Sequence, residues 1–191
     1  MAAPAPEREL LGRDDLLERV AGLLGEGKNV ALIGPHDIGK SAVIGALAVP
    51  DVVVVDPFER VHSHLAARIR RAIYRRTLHL IAVRSLDRRQ LGAVRRIMFW
   101  FTEVRVPPLT AYWMRRLIRR EWVRTELPAE LLAPAWTRGA LRLARGRPGM
   151  AVAIVQTAAA IHRTRGTIPS PDAAYIEARI RKVHLLTREA L

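Results

Sequence analysis

The chain has 191 residues, of which 50% are hydrophobic, 26% charged and none cysteine. That composition suits one globular domain or a core with a small appendage, and it excludes a disulfide framework, thiolate metal ligands and a catalytic thiol. The formal net charge of +14 is unevenly divided: residues 1–60 hold six Lys/Arg against ten Asp/Glu, a balance of −4, and residues 61–191 hold 26 against 8, a balance of +18.

Residues 1–9 are Ala/Pro-rich and then acidic, and they read as a flexible N-terminus. They lack the basic start and apolar run of a secretory signal, so the expectation is a cytoplasmic protein. Leu16, Leu17, Val20, Leu23 and Leu24 recur at helical spacing and predict an amphipathic helix over residues 13–24. Residues 29–33 form a short apolar run and predict a buried strand. A Gly-rich loop follows, then a helix over residues 40–48. Residues 52–55 are four valines, the pattern of a strand covered on both faces. A helix over 59–76, a strand over 78–83, a helix near 87–96 and a strand over 97–106 complete the alternation, which Pro107 and Pro108 close. Strands that alternate with helices imply parallel βαβ units. Beyond residue 110 only helices are predicted, over about 110–125, 128–144, 148–162 and 171–186. The expected organisation is an α/β core over residues 10–108, with about four parallel strands, and a helical subdomain over 109–191.

Gly34, Pro35, His36, Asp37, Ile38, Gly39, Lys40 and Ser41 match G-x-x-x-x-G-K-[ST]. The glycines permit the tight turn that aims backbone N–H groups at phosphate oxygens, and the helix that follows adds its positive end. Lys40 is expected to reach the β- and γ-phosphates of ATP or ADP, and Ser41 to bind Mg²⁺. The alternative is a Gly-rich turn between a strand and a helix with no ligand. Asp56 ends the valine strand and is the expected second Mg²⁺ residue. It equally suits a helix-capping role, because Pro57 follows.

In chain order, these features resemble an AAA+ or STAND-type P-loop ATPase of the prokaryotic, origin-recognition-like and transposition-regulator-like branch, in a trimmed form. Leu11, Gly12, Arg13 and Asp14 resemble the family's G-R-[DE] lead-in, whose backbone packs on adenine. The phosphate loop is the Walker A motif, and Val52 to Asp56 resembles Walker B. Arg84 and Ser85 end a strand like the one that carries the sensor-1 polar residue. Gly146, Arg147, Pro148 and Gly149 resemble the sensor-2 turn of the lid. The resemblance implies nucleotide contacts at these positions and at Ala42. It also implies a role for Arg95 or Arg96 as a finger that reaches a neighbour's γ-phosphate.

Three departures bear on activity. Only sixteen positions separate Lys40 from Asp56, where the family normally places another strand, so the sheet should be trimmed. Pro57 stands where the family has the Glu that polarises the attacking water, which leaves Glu59 as the nearest base or as an ordinary first-turn acid. Gly149 stands where a sensor-2 Arg often follows the Pro, with Arg147 as a substitute.

His36, His62 and His64 have no metal-ligand spacing and read as solvent-facing. Phe99, Trp100, Phe101, Trp113, Trp122 and Trp136 read mostly as packing residues. Arg115, Arg116, Arg119, Arg120 and Arg124 make the helix from residue 110 basic on one side, and residues 60–76 carry a second arginine cluster. With no helix-turn-helix or zinc-finger signature, contacts with DNA would be to its backbone. A protein partner, an ATP-dependent homo-oligomer and a solvated arginine-rich surface are the other uses of this charge. The leading reading is a Mg-ATP assembly switch with slow hydrolysis. Its rivals are a non-hydrolysing nucleic-acid-binding or scaffold module and a small-molecule P-loop kinase, which would lack the lead-in helix.

Overall fold

Strand β1 (Asn29–Ile33) runs through the interior of a four-stranded sheet, and its residues 30–33 are buried. In the computed structural model, which describes residues 10–47, 51–56, 58, 63–87 and 91–188, β1 pairs in parallel with β3 (Leu78–Val83) on one side and β4 (Phe101–Arg105) on the other. The strand β2 (Val52–Val55) pairs in parallel with β3, which gives the order β2-β3-β1-β4. The fold is therefore α/β with a short parallel sheet, followed by an all-helical region.

Side-chain alternation explains the layering. Val30 and Leu32 of β1 and Leu80 of β3 join Leu16, Val20 and Leu24 of α1 (Asp14–Gly25) and Val43 of α2 (Lys40–Leu47) in one core. Ala31, Ile33, Ile81 and Val83 point the other way, onto Ala66 and Ile69 of α3 (Ser63–Tyr74) and onto Ile97 and Met98. Neighbouring residues of one strand thus serve two cores, which is why residues 30–33 and 80–83 are apolar without a break.

The valine strand is not covered on both faces: β2 lies at the sheet edge, with Val53 42% and Val54 48% exposed. Four valines specify extended backbone, whereas edge or centre depends on which strands pair beside them. Residues 97–100 are not strand. They belong to a 3-10 segment (Gly92–Trp100) that precedes β4, because buried Ile97 and Met98 serve a helical segment as well as a strand.

The chain divides into two compact units, Met1–Pro107 and Pro108–Leu191. The second holds α4 (Ala111–Arg124), a 3-10 turn (Ala129–Leu131), α5 (Pro134–Ala144), α6 (Pro148–Arg165) and α7 (Pro171–Arg188). Helix α5 starts later than predicted because Ala133, which precedes Pro134, is held extended at φ −62°, ψ 146°. Trp122 and Trp136 meet edge to face at 4.8 Å in its interior, and their indole N–H groups donate to Pro128 O at 2.9 Å and Pro169 O at 3.0 Å. Buried Glu121 accepts from Arg124 Nε at 2.8 Å and Gln156 Nε2 at 2.8 Å. Phe99, expected to pack, is 74% exposed. No described helix is long and apolar enough to cross a membrane.

Candidate functional site

A parallel sheet sends the carboxyl ends of all its strands to one edge, and there the predicted site residues of the first unit emerge: Gly34 after β1, Asp56 after β2, and Arg84 and Ser85 after β3. The Gly34 N–H donates to Val83 O at 3.1 Å, and the Val106 N–H donates to Ile33 O at 2.8 Å, so the loop starts from a fixed base. A Cβ on Gly34 would lie 3.0 Å from Ile38 Cγ2 and 3.4 Å from Val106 O, so any larger residue would need Ile38 to shift by a few tenths of an ångström. Pro35 and His36 are exposed, and His36 Nδ1 donates to Asp37 Oδ1 at 2.7 Å. Asp37 (φ 67°) and Gly39 (φ 100°) are positive-φ residues two positions apart, on either side of Ile38. Ile38, 1% exposed, plugs the loop into the core between Val43 and Val106.

The φ of Gly39 is strained for any L side chain. Gly39→Ala is expected to cost about 1–3 kcal/mol of loop conformation. In an ATP titration it should weaken binding by about fivefold to a hundredfold while the rest of the fold persists.

Lys40 begins α2 and folds its ammonium back over the loop, donating to Gly34 O at 2.6 Å and Pro35 O at 3.1 Å. Ser41, one position further, donates its hydroxyl to Asp56 Oδ2. Asp56 follows β2, which β3 separates from β1. The two residues still meet, because the first turn of α2 carries Ser41 across the sheet edge. Ala42 is exposed on the same helix. A hydroxyl and a carboxylate in contact beside a loop lysine are oxygen donors of the kind that Mg²⁺ takes alongside phosphate oxygens. Among the described residues no group of three His, Asp or Glu comes together as a self-sufficient metal site.

Leu11 is buried and Gly12 takes φ 64°, which turns the chain into α1. The Arg13 side chain does something the sequence did not signal. It is 4% exposed, and its guanidinium donates to Pro107 O at 2.6 Å and to Ile38 O at 3.0 Å. Burial lowers its pKa from the ordinary guanidinium value, and the two carbonyls supply the acceptors that a buried cation needs. Arg13 thereby ties the phosphate loop to the end of β4.

The remaining predicted residues are not gathered at the loop in the same way. Arg84 is exposed, and the Ser85 hydroxyl accepts the Asp87 N–H at 3.0 Å. Arg95 and Arg96 are exposed on the 3-10 segment that feeds the amino end of β4. Arg147 and Pro148 belong to the second unit, where Arg147 is the N-cap residue of α6 and its Nε donates to Ala144 O at 3.3 Å. Pro57, Glu59 and His62 lie outside the described residues, whereas His36 and His64 are exposed.

Solved structures of this shape are known. The chain is similar to the Aeropyrum pernix Orc1 protein in complex with DNA (17% identity, 90% of this chain and 65% of that one, TM-score 0.58). It is similar to the Thermotoga maritima RuvB Holliday junction branch migration motor (11% identity, 86% and 68%, TM-score 0.54). It is also similar to a Walker-type ATPase of Pyrococcus abyssi (13% identity, 99% and 79%, TM-score 0.61). These likenesses show the fold alone, a parallel α/β core followed by helices. The chain spans 65% of the length of the Orc1 protein. No protein-family model and no curated protein matches the sequence.

Proposed function

We propose that this protein binds Mg-ATP at residues 34–41 and uses it as an assembly or conformational switch. The observation that carries this reading is the convergence of Lys40, Ser41 and Asp56 at one sheet edge, with Lys40 turned over the loop and Ser41 on Asp56. When bound, Mg-ATP supplies a labile phosphoanhydride and a compact anion. Lys40 would then exchange its loop carbonyls for the β- and γ-phosphates, and Ser41 and Asp56 would hold the cation. The glycine-shaped loop orients the phosphates, and Arg13 keeps that loop in register. Pro57, in the place of the family's water-polarising Glu, argues for slow hydrolysis. On this account nucleotide occupancy, rather than rapid turnover, carries the signal.

Asp56 tests the metal role. Asp56→Ala should leave ATP bound about equally well with and without Mg²⁺, whereas the wild type should bind more tightly with it. A full Mg²⁺ increment retained in Asp56→Ala would return this residue to a capping role.

A second reading concerns the partner. The +18 balance after residue 60, with two arginine-rich helices, supports contacts with nucleic-acid backbone by this protein. Such binding should be blind to sequence and should fall steeply with salt.

A further inference from the structure

The helical unit holds a cleft of about 290 Å³ lined by Arg115, Arg119, Leu132, Pro134, Thr137 and Arg138. Arg115 and Arg119 stand one turn apart on α4, and Arg138 faces the same space from α5. The lining contains no acid. Among the described residues none of these three guanidiniums makes a hydrogen bond or an ion pair. Other arginines of the same unit are matched: Arg124 with Glu121, Arg142 with Asp172, Arg181 with Glu177. Three cations gathered without a counter-charge repel one another, and an anion in the cleft removes that repulsion.

The start of α5 adds to the same potential. Pro134 is its first residue, no side chain caps it, and its first turn carries no acid. Its leading N–H groups and positive dipole end therefore have no anionic partner from the helix itself.

We propose that the α4/α5 cleft is a phosphate site that grips the backbone of a nucleic acid; the proposal rests on the nucleic-acid reading above and locates it. Guanidinium forks take phosphate and carboxylate alike, so the neighbourhood decides between them. Tyr112, Arg115, Arg116 and Arg119 recur at helical spacing on α4, with Tyr112 59% exposed and the Arg116 guanidinium 5.2 Å from the Trp113 ring centre. Flat aromatic and guanidinium surfaces beside a phosphate site suit stacked bases, which an acidic peptide does not offer.

Arg138 gives the decisive test because it lies on α5, outside the basic strip of α4. Binding of a labelled random-sequence oligonucleotide to the full chain is measured by fluorescence anisotropy across a salt series. Arg138→Ala should weaken binding about fivefold to tenfold for every sequence and lower the log–log salt slope by about 1. Arg163→Ala, which removes an exposed arginine outside the lining, should change affinity less than about twofold. Arg138→Lys keeps the charge without the fork and should fall between the two. Circular dichroism of each variant, and the double Arg115→Ala/Arg119→Ala variant, separate loss of the site from loss of the fold. If wild type binds and Arg138→Ala behaves like Arg163→Ala, the cleft assignment falls while the nucleic-acid reading stands. Absence of binding at low salt, or displacement of the oligonucleotide by polyglutamate as readily as by unlabelled DNA, overturns both.

Discussion

Lys40→Ala is expected to remove measurable ATP binding while leaving the fold intact. Lys40 is half-buried at the start of α2, and its partners include two main-chain carbonyls of the loop that its own flexible stem reaches. In the free protein the ammonium is thus held where phosphate oxygens would arrive, and binding replaces neutral acceptors with charged ones. Hydrogen bonds to charged groups contribute about 1.5–3 kcal/mol each, so two lost contacts amount to a hundredfold or greater drop in affinity, about 3 kcal/mol at least. Few other interactions change, because the loop is fixed by Ile38, by the Gly34–Val83 bond and by Arg13. An unchanged thermal transition together with lost ATP binding is the expected pair of results. Micromolar ATP affinity in Lys40→Ala would remove the loop from the nucleotide site.

Trp122→Ala should have the largest effect on stability, and it should fall on the helical unit. The side chain is 1% exposed, meets Trp136 edge to face, and closes the turn after α4 through its bond to Pro128 O. Truncation of a buried Trp costs about 3–5 kcal/mol, because the cavity adds to the lost transfer energy. For a unit of this size that corresponds to a fall of about 12 °C or more in Tm. Val123→Ala, at the next position but 66% exposed, should shift stability by no more than about 0.5 kcal/mol. Equal losses in the two variants would mean that the tryptophan pair does not organise this core.

The loop of residues 34–41 was legible in the sequence as a tight strand-to-helix turn because its geometry is local. Two glycines, a lysine and a hydroxyl at fixed spacing each have a mechanical task that no distant residue alters. Strands β1 and β3 were legible for a related reason, since burial on both faces leaves residues 30–33 and 80–83 apolar without a break. The exposure of Val53 and Val54 was not legible, because it depends on strand order. The contact between Ser41 and Asp56 across the intervening β3 depended on it too. The Arg13 pin was hidden as well: its acceptors, Ile38 O and Pro107 O, lie 25 and 94 positions away in sequence. Arg138 is one of 29 arginines and has no distinguishing spacing, so only the cleft singles it out.

Calorimetric titration of the full wild-type chain with ATP, in Mg²⁺ and again in a chelator, decides whether the loop and Asp56 form a Mg-ATP site. One ATP per chain with micromolar affinity in Mg²⁺ is expected, with clearly weaker binding in the chelator. No heat of binding up to millimolar ATP, or a titration identical in both buffers, would contradict that assignment.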